Sequence, residues 1–377
     1  MAAAGAGSDV KRGLVGVVAD STAISMVNEE TNSLLYRGYP VQELATFCSF
    51  EEVAYLIWQG ELPSKGELEA FVQSERSLRA VPAGLFDVLS ALPTTCHPMD
   101  VLRTAVSFLG ASNPDEDDAS RAANLRKSID MMAKLPTIVA FEQRRRRGEA
   151  PIAPDPDLSF AENFFHCCFG AVPEPEVVRC FEVSLTLYAE HSFNASTFTA
   201  RIITSTLSDI YSAVTGAIGA LKGPLHGGAN EAVMAMFQEI GDPENAAEWL
   251  HEALASKRKI MGFGHRVYKH GDSRVPTMRQ ALEGLARPKG ADGLLALYDN
   301  LERAMLQEKS IQPNLDFPTG AAYHLMGFDI PTFTPIFVMS RITGWTAHVM
   351  EQLEANSLIR PLSAYSGPPE RHVVRCR

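Results

Sequence analysis

Apolar side chains in this chain recur mainly at steps of three and four residues, and that spacing limits the fold more than any other feature. Ile203, Leu207, Ile210, Val214, Ala217 and Leu221 fall on one helical face. Leu294, Tyr298, Leu301 and Met305 form a second stripe, and a third runs through residues 333–356 with Gly344 inside it. Small residues along the first stripe (Ser212, Ala213, Gly216, Gly219, Ala220) permit close helix packing. Gly223-Pro224 ends it, because proline lacks a backbone donor and disfavours helix at the residue before it. Alternation with a period of two is scarce, and residues 13–26 are the best candidate for a short β-hairpin. The pattern predicts a mostly α fold.

With 377 residues, 46% of them hydrophobic, the chain can bury a sizeable core in one large domain or two ordinary ones. Acidic residues outnumber basic ones by 45 to 34, for a net charge of −11. That balance argues against a general nucleic-acid binder, although a locally basic pocket could still hold a small anion. No apolar run approaches the ~20 residues of a membrane helix. Residues 1–13 lack the apolar core of a secretory signal. Cys48, Cys96, Cys167, Cys168, Cys180 and Cys376 have no disulfide-framework or zinc spacing. The expected setting is cytoplasmic. Acidic residues 113–118 read as a helix lead-in, and Arg144, Arg145, Arg146 and Arg147 as a solvated helix end that complements the macrodipole.

Chemistry concentrates between His191 and Arg360, in four places. His226 lies in Leu225-His226-Gly227-Gly228, just ahead of a helical pattern. A helix entrance depresses a histidine's pKa, leaving a neutral imidazole able to donate to an oxygen that gains charge. The alternative is a histidine capping a helix in a glycine-rich turn. Residues 257–270 (KRKIMGFGHRVYKH) are locally basic, with Gly262 and Gly264 among the cations. Glycines allow close backbone approach and the cations suit phosphates, although neither a P-loop nor a dinucleotide fingerprint is present. Asp316 stands between Leu315 and Phe317 and is bracketed by Pro313 and Pro318. Desolvation would raise its pKa and make it a stronger base; a helix cap before Thr319 is the competing reading. Arg274, Arg341 and Arg360 could together grip a dicarboxylate, or each serve a surface ion pair.

Other chemistries find less support. His166-Cys167-Cys168 and the His265, His270 pair make no HExxH or paired CxxC pattern, so no metal site is expected. No cysteine stands beside a base, and no GxSxG elbow occurs. Metal-free acid–base chemistry on an anionic substrate remains.

Four segments stand out in order along the chain: LYAEHSFNAST, GPLHGGANEAV, IMGFGHRVYKHGDSR and PNLDFPTGAAYHLMGF. Through them the chain resembles the citrate synthase family, and most closely its 2-methylcitrate synthase members. Shorter likenesses extend the resemblance from GLVGVVADSTAIS near the start to IRPLSAYSG near the end. The resemblance implies a two-domain helical fold, with a large domain of residues 1–227 and 328–377 and a smaller closing domain of 228–327. His226 would lie at its hinge.

The resemblance also implies roles. Asp316 would take a proton from the carbon beside an acyl-CoA thioester carbonyl. His226 would stabilise the enolate, and His265 would protonate the ketone of oxaloacetate. His191, Arg274 and Arg341 would bind oxaloacetate, with Arg360 reaching the site of the other subunit in a homodimer. Arg258, Lys259, Ile260, Met261 and Gly262 would contact coenzyme A, which enters as a thioester substrate, with no permanently bound cofactor. The reaction implied is propionyl-CoA plus oxaloacetate plus water to 2-methylcitrate and coenzyme A. Citrate synthase acting on acetyl-CoA is the alternative, and a silent helical dimer partner is the non-enzyme one. Two departures stand out: Ser273 replaces the proline that many relatives carry before the arginine, and Lys269 stands where many citrate synthases have arginine. The short N-terminal stretch favours a dimer over hexameric, NADH-regulated forms.

Overall fold

The computed structural model describes residues 10–28, 30–268 and 270–372, so Lys269 and Cys376 lie outside the described residues. Sixteen α-helices make up the described chain: α1 (Val41–Phe47), α2 (Phe50–Gln59), α3 (Lys65–Ser77), α4 (Leu85–Ser90), α5 (Pro98–Ala111), α6 (Arg121–Arg146), α7 (Phe160–Phe169), α8 (Pro175–Tyr188), α9 (Ala195–Ser205), α10 (Ile210–Leu221), α11 (Ala229–Ile240), α12 (Ala246–Ala255), α13 (Val275–Ala286), α14 (Asp292–Lys309), α15 (Asp316–Leu325) and α16 (Phe333–Glu354). Strands β1 (Ser25–Asn28), β2 (Ser33–Tyr36) and β3 (Tyr39–Pro40) form one antiparallel sheet in that order, with Ser25 opposite Tyr36. The fold is mostly α, as the spacing predicts. No described helix is long and apolar enough to cross a membrane.

The third stripe becomes α16, which is apolar on every side and therefore buried rather than half-exposed. Ile342, Trp345 and Val349 have no exposed surface, and the helix packs against α2, α5, α6, α8, α9 and α10. The second stripe becomes α14, which buries Tyr298, Leu301 and Met305. Helices α11 to α15 pack on one another, as α11 on α15, α12 on α14 and α13 on α15, while α13 also leans on α8.

Three expectations need correction. The first stripe is two helices, not one. The backbone turns left-handed at Leu207 (φ 65°), and Asp209 restarts the helix by accepting the Ser212 N–H. Leu207, on the supposed buried face, is exposed, while α9 and α10 pack side by side. The hairpin also begins where residues 13–26 end: Arg12–Leu14 is a 3-10 turn, and the strands are 25–28 and 33–36. Finally, the four arginines are not simply solvated. Arg145 and Arg146 flank Glu142, Arg144 donates to the Cys168 carbonyl, and Arg147 pairs with Asp329, so they tie α6 to its neighbours.

Candidate active site

Asp316 is the first residue of α15, yet its carboxylate does not cap that helix. It accepts instead a 2.6 Å hydrogen bond from the Tyr188 hydroxyl at the end of α8. Burial pushes its pKa up to about 6, against the lowering pull of Tyr188, Arg274 and Arg341. The cap reading of this aspartate therefore lacks the hydrogen bond it requires. The preceding loop is fixed by pairing with the glycine-rich segment. Gly264 N–H donates to Gln312 O, Asn314 N–H to Gly262 O, and the Asn314 side-chain amide to Gly264 O. Gly262 is needed there, since its φ is 82° and a Cβ would meet Val233 Cγ2 at 2.6 Å. This pairing sets the His265 loop beside Asp316.

His226 lies in the turn before α11, but the helix end it faces is that of α9. Its Nε2 is 2.8 Å from Ser196 Oγ and 3.3 Å from Ser196 N–H, in the first turn of α9. Asn194 Oδ1 already accepts the N–H groups of Ser196 and Thr197, and Ser196 Oγ accepts from Trp345 Nε1. The Ser196 hydroxyl donates to Asn194 Oδ1, so it is the Ser196 N–H that makes Nε2 an acceptor and leaves the proton on Nδ1. Burial, then the charge of Arg341, lowers the pKa to about 4, so the ring is neutral. The neutral imidazole expected from the sequence is present; the cause is burial and Arg341, not the start of α11.

His265 is neutral as well, lowered to about 4 by burial and then Arg274. Its Nδ1 accepts from Val267 and Tyr268 N–H, which puts the proton on Nε2. The ring lies 4.9 Å from that of His191, centroid to centroid. Ser273 Oγ donates to the Tyr268 hydroxyl, whose oxygen lies 3.2 Å from His191 Nε2. Burial and Arg274 hold His191 well below the usual histidine range.

Arg274 and Arg341 are both buried, and both act electrostatically on His191, Asp316 and Tyr36. Arg274 grips Asp272 through Nε and NH2, at 2.9 and 2.7 Å, while Asp272 also accepts the Leu315 N–H. Burial works to lower Arg274, but Asp272 outweighs it and holds the pKa above the usual arginine value. Arg341 donates from Nε to Tyr188 O, and burial pushes its pKa down to about 10.

Of the sequence-predicted residues, His191, Arg274 and Arg341 are buried and His226, His265 and Asp316 half-buried, and contacts or the charges of the two arginines link all six. Arg360 does not join them within the chain. It is exposed after α16, and no described hydrogen bond or ion pair links it to these groups. Of the basic segment, Arg258 is held by Glu239 at 2.6 Å and stacks over Trp249, Lys259 is exposed, and Ile260 is buried. Tyr188, Ser196, Tyr268 and Asp272 were not singled out from sequence, although all four lie inside the motifs quoted above. Asp272, a carboxylate two residues before Arg274, was the most readable of them.

The chain is similar over nearly its whole length to known proteins. The family described as Citrate synthase, C-terminal domain, matches residues 13–362. The chain is 65% identical to 2-methylcitrate synthase of Mycobacterium tuberculosis (strain ATCC 25618 / H37Rv) over 363 residues, 96% of this chain and 92% of that one. It is 62% identical to citrate synthase of Mycolicibacterium smegmatis over 365 residues, 97% of each. A citrate synthase from Thermoplasma acidophilum, solved as a ternary complex with carboxymethyl coenzyme A and oxaloacetate, matches with TM-score 0.93 at 32% identity, covering 98% of this chain and 99% of that one. Fold and relatives together define a condensing enzyme of the transferase type. The chain belongs to the citrate synthase family.

Proposed function

We propose that the chain condenses propionyl-CoA with oxaloacetate and water, giving 2-methylcitrate and free coenzyme A. The observation that carries this reading is one desolvated carboxylate, Asp316, half-buried against Tyr188 and under the charges of buried Arg274 and Arg341, in a site that also holds neutral His226 and His265. Ionised Asp316 removes a proton from the carbon next to the thioester carbonyl. His226 donates from Nδ1 to the oxygen that gains charge, an effect worth roughly 3–4 kcal/mol per well-placed donor. The enolate carbon attacks the ketone of oxaloacetate, and His265 donates its Nε2 proton to the new alkoxide. Arg274, Arg341 and His191 hold the dicarboxylate. Hydrolysis of the resulting thioester releases the tricarboxylate and coenzyme A.

The remaining assignments follow the same reading. Residues 258–262 contact coenzyme A, and no resident cofactor is required. Residues 228–327 close as a unit over the rest, which excludes water until the enolate has met its ketone. A homodimer in the cytoplasm, with Arg360 entering the other copy's site, completes it. Acetyl-CoA is the competing acyl donor, favoured by the 62% identical relative named citrate synthase. One methyl group is worth only about 1–3 kcal/mol of discrimination, so both thioesters are expected to react. Thiol release with oxaloacetate decides: a higher kcat/KM for propionyl-CoA supports the reading, and a higher value for acetyl-CoA replaces it. No thiol release from either would sink both.

A further inference from the structure

The small β-sheet is far from an obvious place for chemistry, yet one of its cross-strand pairs, Ser25 and Tyr36, closes on both sides of His191. Tyr36 is wholly buried, and its hydroxyl accepts the Glu190 N–H at 3.2 Å while lying 2.9 Å from Glu190 O and 3.1 Å from Thr186 O, at the end of α8. Ser25 Oγ accepts the Ser192 N–H at 2.8 Å and donates to Glu190 Oε1 at 2.9 Å. The residue before His191 and the residue after it are thus each held by one hydroxyl of the sheet. A third contact supports them, with His348 Nε2 2.9 Å from Glu190 Oε1.

The grip falls where the backbone needs it. Ser192 has φ 50°, a left-handed conformation that non-glycine residues adopt only when their surroundings hold them there. Release of the Ser192 N–H would let this turn relax and swing the His191 ring, which meets His265 and Tyr268. The hairpin turn and α1 reach the opposite wall, where Asn32 of the turn donates to Gly271 O and Gln42 of α1 to Ser273 O, either side of Asp272.

We propose that Ser25 and Tyr36 are positioning residues for the oxaloacetate subsite, fixing His191 through its two flanking peptides. The proposal rests on the functional reading above. Neither hydroxyl touches substrate; each acts through the main chain of residues 190–192.

The test compares Ser25→Ala, Tyr36→Phe and the hydroxyl-keeping Ser25→Thr with the unaltered protein. Steady-state KM is measured for each substrate, oxaloacetate binding is measured alone by calorimetry, and melting temperature is recorded alongside. Loss of one hydroxyl is expected to raise the KM and Kd of oxaloacetate roughly three- to tenfold, the worth of one hydrogen bond. The acyl-CoA KM should stay within twofold, and Ser25→Thr should restore oxaloacetate affinity. Unchanged oxaloacetate affinity in Ser25→Ala and Tyr36→Phe overturns the proposal, however far the melting temperature falls. So does an equal loss for both substrates, which is what general loosening would give. If the unaltered protein binds no oxaloacetate, the functional reading itself fails, and that result is distinct from both.

Discussion

The Asp316 carboxyl titrates near 6 in the folded chain, against 3.8 for an ordinary aspartate, because burial disfavours its charged form. Below pH 4 it is protonated in both folded and unfolded states and costs nothing. As the pH rises through the folded value the unfolded chain ionises more readily, and about 3 kcal/mol of stability is lost by neutral pH. Asp316→Asn should therefore lower turnover by roughly 10²–10⁴ while raising the melting temperature at pH 8. That gain should vanish near pH 4, and melts at both pH values with thiol-release assays check it. Tyr188 donates to the ionised carboxylate and so favours it. In Tyr188→Phe the acid limb of kcat/KM should move to higher pH; an unmoved limb would mean that another group is the base. The sequence pointed to Asp316 through its apolar neighbours. It could not choose between base and cap, since Tyr188 is 128 positions away and only the fold brings it there. The same holds for His226, whose neutrality was legible while its partners Ser196 and Arg341 were not.

Among the elements, α14 and α16 were readable end to end because their apolar stripes run without interruption. The stripe through α9 and α10 misled because its spacing continues across a break that one left-handed residue and one aspartate cap create. Periodicity records which residues could share a face, not whether the backbone stays helical between them. Gly344 shows a further limit. Its place inside α16 was visible, but its reason was not. A Cβ there would lie 2.7 Å from Ala189 O and closer still to Glu190 Oε2, so the glycine lets α16 approach the segment leading to His191. Gly344→Ala should destabilise the fold by about 1–3 kcal/mol through overpacking. It should also raise the oxaloacetate KM more than the acyl-CoA KM, because the strain falls on Glu190. Urea unfolding and steady-state kinetics test the two effects separately; a well-folded variant with unaltered kinetics would show that α16 can shift to make room.

At the scale of the whole molecule, residues 228–327, proposed above to close as a unit, meet the rest of the chain through packing such as α13 on α8 and through polar contacts at the site. Asp316 meets Tyr188, Tyr268 meets His191, Arg274 meets Leu187 O, and Ser273 O and Gly271 O meet Gln42 and Asn32. Rotation of that unit away from the remainder would break these contacts together, while the helix packing within each side would survive. Substrate binding and closure are then linked, since a dicarboxylate held by Arg274 on one side and Arg341 on the other favours the joined arrangement. Gln42 offers the cleanest test, because its amide touches a main-chain oxygen of the moving side and no proposed substrate group. Gln42→Ala should weaken oxaloacetate binding by roughly two- to tenfold, with little change in melting temperature. Small-angle scattering should show the radius of gyration falling when oxaloacetate is added, and in the variant that fall should require more ligand. A radius that does not respond to oxaloacetate, together with unchanged affinity in Gln42→Ala, would mean that the two sides stay joined throughout the cycle. Access to the site would then have to come from loop movement instead.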